Sequence, residues 1–475
     1  MNRKWLVVCM TGSLLTGAGG TYIGMSSFYK EKLEANSYTK DGGHTDSLTK
    51  VETAYDLIFN NYVEKVDKKK LEEGAIKGML STLDDPYSVY MDKDTAKQFD
   101  QALDPSFEGI GAEVSTEDGK IVIVAPIKGS PAEKAGVKPN DEIVKVDGQN
   151  VKGEDLYEVI KKIRGKKGSK VELEIVRSGL DNPLTMSVVR DEVPQITVYS
   201  SIKREGGENI GYLQITSFSE ETASEFDNAM KALEKKGISG LVLDVRGNPG
   251  GLLSSVNSIL EEFVTEQKPY VQIEHRDGQK ETYYSHLKTK KDYPVVVLVD
   301  KGSASASEIL AGALKEAANY TLIGEKTFGK GTVQQAVPMD DGSKIKLTLF
   351  KWLTPDGNWI HKKGIEPNLE VEQTELYQTH PLQIKETLKV ENNDEQVKYA
   401  QEILTSLGYR TDREDGYYST QTETAVRAFQ HQNGLQATGM IDTQTAAKMQ
   451  EEVRSEMKKE ENDIQLQTAL RYIVK

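Results

Sequence analysis

The chain has 475 residues, more than one ordinary domain holds, so three or more folded units are expected. Its formal net charge of −14 argues against a nucleic-acid partner, which favours a basic surface, and against simple electrostatic docking on an acidic membrane. Cys9 is the single cysteine, so no internal disulfide exists, and the six histidines show neither an H-E-x-x-H nor ligand spacing, which leaves no metal site in view.

Residues 1–29 begin with Asn2-Arg3-Lys4 and then carry no charge from residue 5 to residue 29. That run is long enough to cross a bilayer as a helix of about 20 residues, with its basic end on the cytoplasmic side. Gly12, Gly17, Gly19, Gly20 and Gly24 weaken such a helix, and the small residues around Thr16-Gly17-Ala18 resemble a cleavage region. A retained anchor and a removed signal peptide both place the body outside the cytoplasm. Val8, not a small residue, precedes Cys9 and argues against a lipid anchor there. Residues 30–46 are polar and read as a tether. Over residues 47–104 the apolar positions Leu48, Val51, Tyr55, Ile58 and then Leu71, Ala75, Met79, Leu83 recur at helical spacing, and Asp85-Pro86-Tyr87-Ser88 breaks the second helix. So small a helical unit is expected to pack on another domain or on a second copy of the chain.

Residues 105–192 change to short strand-like runs: Ile121-Val122-Ile123-Val124, Glu142-Ile143-Val144-Lys145-Val146 and Val171-Glu172-Leu173-Glu174-Ile175-Val176, with a helical pattern over 155–163. Phe107-Glu108-Gly109-Ile110-Gly111, Ser130-Pro131-Ala132-Glu133-Lys134-Ala135-Gly136-Val137 and Asp141-Glu142-Ile143-Val144-Lys145-Val146-Asp147-Gly148 resemble a PDZ domain. The resemblance makes Gly109, Ile110 and Gly111 the loop that binds a peptide's terminal carboxylate. Glycines there let consecutive amides converge while a sheet edge pairs with the rest of the peptide. A tight turn without a ligand is the plainer reading of the same glycines.

Residues 193–372 alternate strand and helix, the pattern of an α/β layered domain. Ile210-Gly211-Tyr212-Leu213-Gln214-Ile215, Leu241-Val242-Leu243-Asp244-Val245 and Val295-Val296-Val297-Leu298-Val299 read as buried strands, and the latter two run through glycine-containing turns into helices. The polar segment 272–292 interrupts the alternation and fits either a lid or an extra sheet. A linker over 373–392 leads to residues 393–450. There Asp415-Gly416-Tyr417-Tyr418, Thr424-Ala425-Val426-Arg427-Ala428-Phe429-Gln430 and Gly434-Leu435 resemble a peptidoglycan-binding-like helical domain; a plain helical interaction module fits equally. Residues 451–475 read as a charged helical tail with Ile464, Leu470 and Ile473 available to a partner.

Two familiar chemistries are absent. No G-x-S-x-G elbow occurs. Gly324-Glu325-Lys326-Thr327-Phe328-Gly329-Lys330 satisfies a phosphate-loop pattern, but Gly331 follows where a magnesium-ligating Ser or Thr belongs, and Thr332-Val333-Gln334-Gln335-Ala336-Val337-Pro338 looks extended. Ser305 stands at the start of a helix, where unpaired amides and the macrodipole favour a developing oxyanion; with Glu308 it equally forms an S-x-x-E cap. Lys330 lies between glycines and near apolar strands, where desolvation lowers an amine's pKa and makes it a base; an exposed loop lysine is the plainer alternative.

Together, Ser303-Ala304-Ser305-Ala306-Ser307-Glu308-Ile309, Phe328-Gly329-Lys330-Gly331-Thr332-Val333-Gln334-Gln335 and Asp244-Val245-Arg246-Gly247-Asn248-Pro249-Gly250-Gly251 resemble the carboxy-terminal processing, or tail-specific, serine proteases. Gly74-Ala75-Ile76-Lys77-Gly78-Met79-Leu80 and Leu83-Asp84-Asp85-Pro86-Tyr87-Ser88 fit as well. The resemblance implies Ser305 as nucleophile, not Ser303 or Ser307, Lys330 as general base, Gln334 as the residue that positions it, and the amides of Gly251 and Ala306 as oxyanion hole. Four extended steps span about 13 Å, so a contact between Lys330 and Gln334 calls for a turn at Gly331 or for side chains bending together. The fold class implied is multidomain α/β and α+β: a crotonase/ClpP-like protease core, a PDZ domain upstream of it, and helical N- and C-terminal domains. No cofactor is expected. The partners expected are protein substrates with accessible C-terminal tails, cell wall, a membrane through residues 5–29 if retained, and a second copy in a dimer. A non-catalytic PDZ and wall-binding adaptor, and a Ser-Lys amidase on wall peptides, are the rival readings.

Overall fold

The computed structural model describes residues 45–103, 106–117, 119–127, 129–154, 156–177, 182–384 and 386–475. The apolar run at residues 5–29 lies outside them. In chain order, two helices α1 (Thr45–Asn61) and α2 (Lys68–Ser81) precede strand β1 (Val89–Met91) and helix α3 (Lys93–Leu103). Then come β2 (Ser106–Gly109), β3 (Ala112–Glu117), β4 (Lys120–Pro126), the short α4 (Pro131–Lys134), β5 (Glu142–Val146), β6 (Gln149–Asn150), α5 (Leu156–Ile163), β7 (Lys170–Val176), β8 (Leu184–Val189) and β9 (Asp191–Pro194). The next stretch holds β10 (Val198–Glu205), β11 (Glu208–Ile215), α6 (Thr222–Lys235), β12 (Gly240–Asp244), α7 (Leu253–Leu260), β13 (Val271–Glu274), β14 (Lys280–Tyr283) and β15 (Val295–Val299). It continues with α8 (Ala306–Glu316), β16 (Thr321–Gly324), β17 (Thr332–Pro338), β18 (Lys344–Leu353) and β19 (Leu369–Glu370). Helices α9 (Glu395–Ser406), α10 (Thr420–Gln432), α11 (Thr443–Met457) and α12 (Ile464–Ile473) complete the chain.

Contacts divide the chain into two compact units, one of Met1–Leu103, Ile196–Thr374 and Glu460–Lys475, the other of Asp104–Gln195 and Glu375–Lys459. The first is built on a six-stranded sheet in the order β10-β11-β12-β15-β16-β19. Only β10 is antiparallel to its neighbour; β11, β12, β15, β16 and β19 run parallel. Parallel strands covered on both faces read as unbroken apolar runs, and all five residues of β15, Val-Val-Val-Leu-Val, are buried. Val295, Val297 and Val299 join the core shared with α6, α7 and α8, whereas Val296 and Leu298 face the opposite way and join Leu466, Ala469, Leu470 and Ile473 of α12.

That placement corrects the reading of the C-terminal tail as one charged helix with an apolar face for a partner. The segment is the end of α11, a turn at Glu460–Asn462, and α12. Leu470 and Ile473 are buried against the sheet, and Ile464 alone of the three singled out is exposed. The sheet's second face required a cover, and the amphipathic tail supplies it. Segment 272–292 forms part of an extra sheet: β13 and β14 pair, β13 pairs with β18, and β18 also holds β17 and β1.

In the second unit, β3-β4-β5-β7-β8 form one antiparallel sheet with β6 on β5, and β2 pairs with β9. Ile121, Ile123, Ile143, Val171, Leu173 and Ile175 lie in its core with Val159 and Ile163 of α5. Helices α9, α10 and α11 enclose a separate core around Tyr418 and Phe429. Their starts are capped by Asp394, Ser419 and Asp442, each side chain accepting from a first-turn amide.

Candidate active site

Three loops leave the carboxyl ends of the adjacent parallel strands β12, β15 and β16, where open α/β sheets place ligands. Strand order forces them together, and hydrogen bonds lock them. Asn248, fully buried in the loop after β12, accepts through its carbonyl from the Ala304 amide at 3.0 Å and from Ser307 Oγ at 2.8 Å. Its own Nδ2 donates to the Ile215 carbonyl, and its Oδ1 accepts from the Gly250 amide, both at 2.8 Å. The Phe328 amide of the third loop donates to the Ser303 carbonyl at 3.0 Å.

Ser305 sits immediately before α8 with φ 55° and ψ −114°. A positive φ at a non-glycine residue is strained, and it turns the chain sharply from strand to helix although no G-x-S-x-G marks the spot. The serines on either side are committed elsewhere: Ser303 Oγ donates to the Val245 carbonyl at 2.8 Å, and Ser307 Oγ to that of Asn248. Gly250 packs directly on the elbow. A Cβ at Gly250 (φ 104°) would stand 2.9 Å from Ser305 Cβ and 3.0 Å from the Ala306 nitrogen. A Cβ at Gly251 would land on the Phe218 carbonyl oxygen, because the strand-like bridge between Phe218 and Gly251 draws the two backbones together. Only glycines allow the chain before α7 to lie this close to the start of α8.

Lys330 is buried, 4% exposed. Burial pushes its amine down from the ordinary 10.5 to about 7; the nearby Lys346 ammonium adds to this, and Glu308 and Asp85 oppose it. Its ammonium head lies 4.9 Å from the centroid of the Tyr87 ring. Its carbonyl accepts from Trp352 Nε1 at 2.8 Å. Gln334, also buried, donates from Nε2 to Thr332 Oγ1 at 2.9 Å and Thr348 Oγ1 at 3.1 Å. A bulge between Val333 and Gln334 interrupts the pairing of β17 with β18, so the segment is not the uniformly extended chain to which a spacing of about 13 Å applies.

Three residues here had no site role in the sequence reading. Glu308, completely buried, accepts from the Ser305 amide (2.9 Å), the Lys330 amide (2.8 Å), the Gly329 amide (2.7 Å) and Thr327 Oγ1 (2.6 Å). The residue recognised as half of a helix cap thus clamps the serine loop to the lysine loop. Burial pushes its carboxyl up, while these four donors hold the ionised form. Lys346 on β18 is a second buried lysine, pushed down by burial to about 8 against the pull of Asp85. Tyr87 is the third. Its signal was the turn motif Asp85-Pro86-Tyr87-Ser88, legible as a helix breaker and not as a wall of the site.

In the second unit Gly109 ends β2 opposite Asp191. The Ile110 carbonyl accepts from the Ala132 amide at 2.7 Å, and the Gly111 carbonyl from Ser130 Oγ at 2.8 Å. Gly111 has φ 71°, and a Cβ there would stand 2.5 Å from Ser130 Cβ. The three residues that the sequence groups therefore form one tight loop leading into β3, an edge strand of its sheet. The Arg164 guanidinium lies 4.9 Å from the centroid of the Phe107 ring beside it.

An α/β core carrying a buried lysine and a strained serine, with a PDZ fold in the same chain, defines a class of PDZ-bearing serine proteases. Residues 209–371 match the sequence model of peptidase family S41, 122–177 that of a PDZ domain, 393–449 that of a peptidoglycan-binding domain and 14–95 that of the activating protease CtpB N-terminal domain. The chain is 55% identical over 475 residues to the carboxy-terminal processing protease CtpB of Bacillus subtilis (strain 168), covering 99% of both proteins. It is 47% identical over 473 residues to CtpA of the same organism, covering 100% of this chain and 98% of that one. A solved photosystem II D1 C-terminal processing protease shares 32% identity at a TM-score of 0.44, over 68% of this chain and 86% of that one. The chain belongs to the carboxy-terminal processing serine proteases of family S41.

Proposed function

We propose that this protease is exported and cleaves protein substrates with a Ser305–Lys330 pair after its PDZ domain has engaged their C-terminal tails. The observation that carries the reading is the burial of Lys330, with its amine near neutrality, on a loop that Glu308 ties to Ser305. The neutral Lys330 amine takes the Ser305 hydroxyl proton as Oγ bonds to the scissile carbonyl carbon. Gln334 positions the lysine. The Ala306 and Gly251 amides receive the oxyanion. Collapse breaks the C–N bond, Lys330 returns its proton to the leaving amine, and an ester to Ser305 remains. Lys330 then takes a proton from water, whose oxygen attacks the acyl carbon, and Ser305 leaves with that proton. No step calls for a cofactor.

The position of β3 at the edge of its sheet, directly after Gly109, Ile110 and Gly111, supports recognition of a tail by strand addition. The peptidoglycan-binding match supports residence at the cell wall, and the uncharged N-terminal run supports export, as anchor or signal. The apolar surface of α1 supports a homodimer.

Purified protein incubated with an unfolded model protein tests the reading. Ser305→Ala and Lys330→Ala are each expected to reduce cleavage at least about a thousandfold while the protein stays folded. Deleting residues 107–190 is expected to abolish the dependence of cleavage on the substrate's C-terminal sequence. A Lys330→Ala protein that still cleaves sinks the pair; unchanged tail specificity in the deletion sinks the role of the PDZ domain.

A further inference from the structure

The turn Asp85-Pro86-Tyr87-Ser88 has no place in the chemistry above, yet it brings two ionisable side chains to the buried lysine. It is fastened to the core. Asp85 Oδ2 accepts from Ser88 Oγ at 2.6 Å, its Oδ1 accepts from the Tyr87 amide at 3.1 Å, and Ser88 Oγ accepts from the Thr348 amide of β18 at 3.0 Å. β1 directly after it pairs with β18. Tyr87 is half-buried, its ring 4.9 Å from Lys330 Nζ and edge-on to His361 at 6.3 Å. The His361 ring stacks at 5.2 Å on Trp359, whose Nε1 donates to the Gly331 carbonyl at 2.8 Å. These contacts hold the ring from one side and the lysine's neighbour from the other. The spacing at Gly331 is correspondingly tight, since a Cβ there would stand 2.7 Å from the His361 nitrogen.

We infer that Tyr87 is a positioning residue for the catalytic lysine, its ring face serving as the platform that holds the Lys330 ammonium and steadies its charged form during the proton transfers. An aromatic face attracts a cation electrostatically, and more strongly where water is excluded. Among the ionisable groups facing the amine, Lys346 on β18 repels its charge, and Glu308 on α8 and Asp85 on the turn attract it. His361 meets the edge of the Tyr87 ring. The ring attracts the charge without adding a carboxylate. The inference rests on the reading of Lys330 as the base, and the test separates the two.

The experiment is the pH dependence of kcat/KM for a peptide substrate across the neutral range, with circular dichroism at each pH to confirm folding. In wild type the rising acid limb follows loss of the proton from Lys330. Tyr87→Leu keeps the site dry and removes the quadrupole, so the limb is expected to move to lower pH by about half a pH unit to one pH unit, with a plateau at least about tenfold lower because the amine loses its seat. Tyr87→Phe keeps the ring and is expected to retain both the limb and most of the plateau. A limb that stays in place or moves upward in Tyr87→Leu overturns the inference, as does a Tyr87→Phe protein impaired equally. A Lys330→Ala control that remains active overturns the reading of the base instead, whatever Tyr87 does.

Discussion

Lys330 illustrates the energetic side of a functional group. Burial and the nearby Lys346 ammonium outweigh the pull of Glu308 and Asp85, so the folded protein is penalised whenever the pH would charge this amine. The unfolded chain holds that proton up to about 10.5 and the folded chain only to about 7. Between these limits the unfolded state binds more protons, so stability rises with pH; below pH 7 the penalty is complete. Each pH unit separating the two values is worth roughly 1.4 kcal/mol, so the full penalty is on the order of 5 kcal/mol. Lys330→Met, which retains the apolar stem and drops the charge, is expected to raise the unfolding free energy by a large part of that at about pH 6 and by little near pH 10.5. Urea melts at the two pH values decide it. Equal stabilisation at both would show that the amine is not penalised. Gly250 and Gly251 belong to the same scale, since the close backbone approach they permit allows no side chain.

Elements differ in how much of their role the sequence disclosed. β12 and β15 were legible because unbroken apolar runs, Leu241-Val242-Leu243 and Val295 to Val299, next to glycine turns leave little alternative to a buried parallel strand. β13 and β14 were ambiguous between lid and sheet because Val-Gln-Ile-Glu alternates apolar with polar and Lys-Glu-Thr-Tyr is mostly polar, as suits strands with one face toward water. For α12 the periodicity revealed an apolar face but not what it covers. Tyr87 was invisible as a site residue for a related reason: a turn motif fixes local backbone, and only β1 pairing with β18 carries it to Lys330. The docking of α12 has an electrostatic latch. The Arg246 guanidinium bonds Asp244 and Asp463, with nitrogen–oxygen distances of 2.6 and 2.8 Å, and Asp244 is 1% exposed. Tyr212 donates to the same Asp244 at 2.7 Å. Arg246→Ala strands the buried carboxylate, so a loss of about 3–5 kcal/mol is expected, with residues 460–475 becoming the first segment to exchange amide hydrogens. Unaltered exchange over that segment would mean that apolar packing alone holds the helix.

At the scale of the molecule, the sequence supplied the list of parts, and the core, the PDZ fold and the helical module each carry a hydrophobic centre of their own. What the described residues leave uncovered is the N-terminal helical segment. Leu57 is 62% exposed and Val63 89%, with Ile58, Phe59 and Tyr62 also open to solvent. Five large apolar side chains within seven residues make an unusual solvent surface for a chain of net charge −14. A second copy presents the identical patch, and a two-fold axis makes such a patch its own complement. The pair Leu57→Asp and Val63→Asp puts two carboxylates on each copy and four at the shared surface, where burial and mutual repulsion oppose association. Sedimentation velocity at micromolar concentration is expected to show a dimer for the parent protein and a folded monomer for the doubly substituted one, with α2 and the core unchanged by circular dichroism. A parent protein that sediments as a monomer at every concentration, or a substituted one that remains dimeric, would move the contact elsewhere and leave these side chains in need of another cover.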